Sequence, residues 1–380
     1  MRVAILANHP DDPRESMHRF ARLLHDGLNA RGAEAVLLQP QPSRGRLARS
    51  SPRWQNRIDK VTFEWQLRRI RARDFDLIHV ADQGNAIYAD LVRGTGKPTV
   101  ITCHDLSALE DDGVPQTGIG GILHRHLLRR MKRGLRAASM VVCCSIYTQN
   151  VLQRLVGVGV GKSKMIHLGP QREYRRLSRV ECERRLADDR FFQSPFLLHV
   201  GANYQRKNRA LLIQALALLE SHPELRLVIA GDSPGSDLWE KAAAAGCHDR
   251  LLAVSRPSDE MLEALYSTAF AFVFPSFYEG FGWPVIEAQS CGCPVICSDA
   301  TCLPEVGGKG ALYHSPDDAA GLARHVGTLF DSTLRDSLIR CGLENAARFS
   351  VEKMIAEYLR AYEAFQEVVS AKGRTILRQS

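Results

Sequence analysis

Apolar residues along the chain fall into short runs, separated by longer stretches in which apolar positions recur three or four residues apart. The short runs at 3–7, 35–38, 77–80, 99–102, 140–144 and 164–167 have the length of buried strands. Between them the spacing is helical. In 16–31, for example, Phe20, Leu23, Leu24 and Leu28 share one face, and Ser16 stands where a capping residue would. The scheme repeats in the second half, with runs at 196–200, 226–230, 251–254, 271–274, 295–297 and 310–313. Fully apolar strands that alternate with amphipathic helices predict parallel α/β sheets covered on both faces. Two such series in one chain predict two doubly wound, Rossmann-like domains, each taking ligands beyond the carboxyl ends of its strands. The charged stretch 171–189 lies between the series as a linker region.

Composition narrows this picture. The 380 residues are 45% hydrophobic and 24% charged, which excludes disorder, collagen and coiled coil. The net charge of +8 is divided unevenly: residues up to Pro170 carry 26 basic and 15 acidic side chains, and the rest carry 24 and 27. Two clusters make the excess. Residues 43–73 hold ten basic side chains against Asp59 and Glu64, with Trp54, Phe63 and Trp65 interleaved. Residues 121–136 hold six and no acidic one. On a helix, Leu123, Leu127, Met131 and Leu135 form one stripe, and Arg125, Arg129, Lys132 and Arg136 another. Such a helix either packs on its sheet with a solvated outer face or meets an anionic membrane surface or anionic acceptor. No nucleic-acid-binding motif accompanies the basic residues, so no nucleic acid partner is expected. The first apolar run is too short for a signal peptide, and no run reaches 18 residues. Ten cysteines in a chain of this length do not form a small secreted disulfide framework. The expected location is cytoplasmic, extended by the basic face to the inner surface of the cell membrane. Cys291, Cys293, Cys297 and Cys302 lie close in sequence but span a turn, a strand and a loop. Alternate strand residues face opposite ways, so these thiols read as buried apolar groups, and no metal site is expected.

The stretch FPSFYEGFGWPVIEAQSCGCPVICSDATCLPE, residues 274–305, is the richest in chemistry. A strand ends at Phe274, Pro275 stops it, Glu279 to Gly282 make a tight turn, and Pro284 suits the first position of a helix. Backbone N–H groups at Gly280 and Gly282 then stand at a helix N-terminus, which favours an anion or polar ligand. Glu279 and Glu287 are eight residues apart. They either face one crevice at different depths or are solvated helix carboxylates. Arg206-Lys207 at a helix start is a phosphate contact or a solubility patch, and His104 after the run 99–102 is a site residue or a structural one. The one Asp-x-Asp triplet, Asp74-Phe75-Asp76, leads straight into a strand and reads as its solvated start.

Within this order of residues, EGFGWPVIE resembles the E-x7-E motif of retaining GT-B glycosyltransferases of family 4, the glycosyl transferases group 1. The flanks PS-x-x-EGFG, CG-x-PVI and LPEVGG agree, as do HVGANYQRKNRALLIQAL, LVIAGDSP and FSVEKMIAEYLRAYEAF. The likeness runs almost continuously over 196–365 and rests earlier on FDLIHV, VITCHDL and VVCCSIYTQNVL. It implies two Rossmann-like domains facing a central cleft: an acceptor domain, 1–177, and a nucleotide-sugar domain, 178–350, with 351–380 returning to the first. It implies that Glu279, with the backbone of Gly280, Phe281 and Gly282, meets the donor sugar, and that Glu287 accepts from the ribose hydroxyls. Lys207, with Arg206 and the Gly201 loop, would hold the diphosphate, and His104 would approach the reacting sugar from the acceptor side. The implied reaction is metal-independent and needs no cofactor. It moves a hexose from a UDP- or GDP-sugar to a hydroxyl of a growing glycan or lipid-linked saccharide in polysaccharide biosynthesis, with retention. A GT-B epimerase or phosphorylase, or a nucleotide-sugar binder without turnover, are the alternatives. Two departures stand out: Ala202 follows Gly201 where relatives place a basic residue, and Asn8-His9-Pro10-Asp11-Asp12 replaces a Gly-Gly loop.

Overall fold

The computed structural model describes residues 1–42, 59, 62–67, 74–110, 118–186 and 189–376. Most of the basic cluster at 43–73 therefore lies outside the described residues. Contacts divide the chain into two compact units, Met1–Gln171 with Ser350–Ser380, and Arg172–Phe349. No helix among the described residues is long and apolar enough to cross a membrane.

The first unit holds β1 (Arg2–Leu6), β2 (Glu34–Leu38), β3 (Leu77–Val80), β4 (Thr99–Cys103), β5 (Met140–Cys143) and β6 (Ser163–Met165). They pair in the order β2-β1-β3-β4-β5-β6, every pairing parallel. The reason is visible in the burial: β3, β4 and β5 are buried at every position, so both faces must be covered by helices. Helix α1 (Glu15–Ala30) covers one face with Phe20, Leu24 and Leu28. Ser16 does not cap it. The cap position falls on Arg14, which makes no side-chain cap bond, and Ser16 lies inside the first turn. The entry is set instead by Asp12, whose carboxylate accepts the Arg14 N–H at 3.0 Å and its guanidinium at 2.9 and 2.8 Å.

Helix α2 (Gly118–Ala137) contains the second basic cluster. Its apolar stripe is buried only at the C-terminal end. Met131 and Leu135 are in the core, whereas Leu123 and Leu127 are exposed, and Ile122 beside them is 62% exposed. The triplet Asp74-Phe75-Asp76 is tied to the first strand. Asp76 accepts the Arg2 N–H at 2.8 Å, and the Asp74 carbonyl accepts from the Arg2 guanidinium.

The last helix, α7 (Val351–Ile376), belongs to this unit through a buried polar chain. Thr102 Oγ1 lies 2.8 Å from both His79 Nε2 and Tyr358 OH, and His79 Nδ1 is hydrogen-bonded to Tyr362 OH. All four side chains are fully buried, and burial lowers the His79 pKa to about 3, so the ring is neutral. Gly27 of α1 meets the same helix, where a Cβ would lie 2.5 Å from Ile355.

The second unit holds β7 (Phe196–Gly201), β8 (Arg226–Gly231), β9 (Leu251–Ser255), β10 (Ala271–Phe274), β11 (Val295–Ser298) and β12 (Ala311–His314). The order is β12-β11-β10-β7-β8-β9, again wholly parallel. Segment 172–186, ending in α3 (Arg179–Leu186), is held here by charge. Glu263, buried on α5 (Asp259–Thr268), accepts from Arg172 at 3.0 Å, from the Arg175 N–H at 2.9 Å and from Arg185. The Leu177 N–H donates to Ser267 Oγ at 3.2 Å, so residues 172–177 group with this unit, a few positions before the boundary read from the sequence.

Candidate functional site

Strand order alone marks one place in each sheet. The chain leaves β7 for β8 on one side and later takes up β10 on the other, so the crevice opens beyond the carboxyl ends of β7 and β10. The loops at these ends carry the residues singled out in the sequence. Beyond β7 come Arg206 and Lys207, then Asn208 and α4 (Arg209–Ala217). Beyond β10 come Glu279 and α6 (Trp283–Ser290).

The fold brings Lys207 and Glu279 into contact, with Lys207 Nζ 2.7 Å from Glu279 Oε1, and both side chains are about nine-tenths buried. Arg206 lies 3.2 Å from Glu279 Oε2 and donates to the Tyr278 carbonyl at 2.9 Å. Burial by itself would push the Glu279 carboxyl up. Lys207 and Arg206 outweigh that and hold it below the usual carboxylate range. Burial lowers the Lys207 pKa, opposed by the Glu279 charge. Lys207 also sits 4.6 Å from the centroid of the Phe274 ring. A compact group of one carboxylate and two cations results, Lys207 and Glu279 dehydrated and Arg206 partly exposed, able to take up an anion and to donate or accept hydrogen bonds at hydroxyls.

Backbone geometry around it depends on glycine and asparagine. Gly201 and Gly231 face each other at the ends of β7 and β8, and a Cβ on Gly231 would lie 2.3 Å from the Gly201 carbonyl oxygen. The buried Arg209 ties these ends together, donating to the Gly201 carbonyl at 2.7 Å and the Asp232 carbonyl at 3.1 Å. Asn208 has a left-handed backbone, φ 52°, and its amide donates to the carbonyls of Pro275 and Pro316 at 3.1 and 2.7 Å. Asparagine is suited to that conformation, and the amide joins the loops beyond β7, β10 and β12. Gly282, φ 90°, occupies the cap position of α6, and Phe281 is buried edge-on against Trp283 and Phe349.

Glu287 sits further along α6, buried, accepting the Tyr266 O–H at 3.1 Å. Tyr174 packs edge-on against Tyr266 at 6.0 Å, and the Arg172 guanidinium lies 4.8 Å from its ring centroid. Burial, reinforced by Glu287, raises both phenols well above their ordinary range, so they stay protonated as donors. Sequence reading missed Tyr174, Tyr266 and Arg209. Only Arg209 had a signal, since an arginine directly after Lys-Asn at a helix start adds charge where a phosphate is expected.

His104 belongs to the first unit, just beyond β4. Its Nε2–H donates to the Ala81 carbonyl at 3.0 Å, its backbone N–H to Gln83 Oε1 at 2.9 Å, and its ring meets Phe20 edge-on at 4.6 Å. Burial lowers its pKa, which keeps it neutral. The crevice of this sheet, beyond β1 and β3, is built from other residues. Fully buried Asp82 accepts from Asn8 at 2.8 Å and from the Gly84 N–H at 2.7 Å, and pairs with Arg14 at 3.0 Å. His9 and Asp59, both buried, lie 3.1 Å apart.

The description "Glycosyl transferases group 1" fits residues 188–344, and "Glycosyltransferase Family 4" fits residues 17–171. The chain is 31% identical over 244 residues to the O-antigen chain mannosyltransferase B of Escherichia coli, covering 63% of this chain and 64% of that one. It is 29% identical over 261 residues to the GDP-mannose:cellobiosyl-diphosphopolyprenol alpha-mannosyltransferase of Komagataeibacter xylinus, covering 64% and 63%. The matches thus span less than two thirds of these relatives. Among solved structures, sucrose-phosphate synthase from Thermosynechococcus elongatus superposes with a TM-score of 0.80 at 20% identity, over 97% of this chain and 100% of that one. That likeness shows the fold, GT-B. With one family description fitted to each unit, and the crevice of the second built around the Lys207–Glu279 pair, the chain belongs to the glycosyl transferases group 1.

Proposed function

We propose that the protein moves a hexosyl group, mannose from GDP-mannose as the first candidate, to a hydroxyl of a growing glycan or lipid-linked saccharide, with retention of configuration. The observation that carries this reading is the buried Lys207–Glu279 pair with Arg206 at the crevice of the second sheet. As the glycosidic bond breaks, the leaving diphosphate gains negative charge. Cations fixed at a dehydrated site favour that state over the ground state without reorganising. Lys207 and Arg206 take this role in place of a metal ion, and no further cofactor enters the reaction. Glu279, kept ionised, accepts from the sugar hydroxyls, and Glu287, oriented by Tyr266, accepts from the ribose. Neutral His104, just beyond β4, is assigned to the reacting sugar as well. The names of the mannosyltransferase relatives support the choice of donor.

The test is product formation from GDP-mannose, UDP-glucose and their relatives with lipid-linked saccharide acceptors. Turnover of one donor, lost in Lys207→Ala, is expected. Product from donor alone would indicate an epimerase, and donor binding without turnover with any acceptor would sink the transferase reading.

We also propose that α2 meets an anionic lipid surface, which would place the enzyme at the inner face of the cell membrane. The exposed Ile122, Leu123 and Leu127 beside Arg125 and Arg129 support this, since a helix that only packed on its sheet would bury its leucines. Sedimentation with anionic vesicles, but not with neutral ones, is the expected result. Equal and negligible binding to both would refute it.

A further inference from the structure

Three residues other than glycine have a left-handed backbone among the described residues: Asn208, Arg256 and Thr301. Thr301, φ 56°, is the strained one, because a β-branched side chain crowds the backbone in that region. A loop that only needed to turn here would be served better by glycine or asparagine. What Thr301 adds is a hydroxyl in one place. Its Oγ1 accepts the Glu279 N–H at 3.2 Å. The next residue, fully buried Cys302, donates its thiol to the Glu279 carbonyl at 3.2 Å. Leu303 then fills the space where a Cβ on Gly282 would come within 2.8 Å. Consecutive residues after β11 thus grip both backbone polar groups of Glu279 and the glycine three positions on.

We propose that Thr301 is a positioning residue for Glu279. Its hydroxyl fixes the peptide from which the carboxylate extends toward Lys207, and the strained backbone is what brings that hydroxyl into reach. This rests on the reading of Glu279 as a donor-sugar contact. Strain that persists at a residue bonded to a site group, when a relaxed residue would suffice for the turn, points to function at that site. Two hydrogen bonds to Glu279 and one close contact at Gly282 thus tie residues 301–303 to the turn 279–282.

Thr301→Gly separates positioning from folding, since it removes the hydroxyl and relieves the strain at once. The full chain should keep or raise its Tm. Exchange of the Glu279 amide, followed by hydrogen–deuterium mass spectrometry of the 277–283 peptide, should quicken at least about tenfold as its acceptor is lost, and the affinity for GDP-mannose should fall several-fold. Thr301→Ser, which keeps the hydroxyl, should stay within about twofold of the parent in all three. A lowered Tm in Thr301→Gly would make the residue a structural one and overturn the proposal. So would unchanged amide exchange or unchanged donor affinity. Should the unsubstituted protein bind no nucleotide sugar, the reading of the Glu279 site fails, and amide exchange alone decides whether Thr301 positions the residue.

Discussion

The two units solve the same folding problem with opposite electrostatics at the place that matters. The first, 1–171 with 350–380, carries 31 basic and 19 acidic side chains, yet its crevice is organised around the carboxylates of Asp12, Asp59 and Asp82. The second carries 19 basic and 23 acidic, yet its crevice sets Arg206 and Lys207 around a single glutamate, with Arg209 tying the strand ends beside them. Net charge is a property of the solvated surface, where each group is screened and worth little. Ligand chemistry is set by a few groups at strand ends, taken out of water, where each charge acts strongly. The overall excess of basic residues therefore says little about either crevice.

The sharpest way to break this comparison is to remove one charge from the second crevice. Lys207→Ala leaves Glu279 buried with Arg206 as its remaining cation, and Glu279→Ala leaves Lys207 buried without its carboxylate and beside the like charge of Arg206. Each should cost about 3–5 kcal/mol of stability and lower transfer at least about tenfold. Replacing both by apolar residues should restore part of the stability and none of the activity, as read by urea denaturation and product assay. Arg14→Ala is the matching change in the first unit. It strips the fully buried Asp82 of its cation and should cost about 1.5–3 kcal/mol, while GDP-mannose affinity stays at the parental value. A large loss of donor affinity there would contradict the division of labour.

Acid should affect both units by the same route. Burial lowers the pKa of His79 in the first unit and of His199 in the second to about 3. Between that value and 6.5 the unfolded chain takes up a proton at each ring and the native chain does not. Stability is thus full above 6.5 and falls as the pH drops, by at most about 1.4 kcal/mol per pH unit for each histidine. Tm against pH for His79→Gln and His199→Gln should show a shallower slope, each in its own unit. The smallest effect is expected for Tyr358→Phe, which deletes one hydrogen bond between α7 and Thr102 and should cost about 1 kcal/mol with transfer intact.

Much of this molecule is legible in its sequence. All six strands of each sheet lie where the apolar runs place them, the ends moving by a residue or two; the inner strands are the plainest, because a strand buried on both faces must be apolar throughout. Glu279, Lys207 and Arg206 stand out locally as a glycine turn and a basic pair at a helix start, which by themselves leave a solvated role open; the resemblance of the surrounding motifs to a known family is what singled them out. Ser16 shows the opposite case. Serine before a helical pattern is a reasonable cap, but the chain enters α1 through Asp12, whose carboxylate grips Arg14 and moves the first turn upstream. The exposed end of α2 could not be read either, since a leucine stripe looks the same whether or not a neighbour covers it.

Sequence by itself determined the two parallel sheets and the loops that carry the chemistry, because these follow from periodicity and from backbone preferences of single residues, whereas the switch points came with the strand order. Tertiary structure alone decided which groups meet. Lys207 and Glu279 are 72 positions apart, and His79 and Tyr362 are 283 apart. Thr301 reaches the Glu279 amide only because β10 and β11 are neighbours in the sheet. Such contacts leave no local trace, since their energy lies in burying paired polar groups far from one another along the chain, where an unpaired one would be too costly to keep.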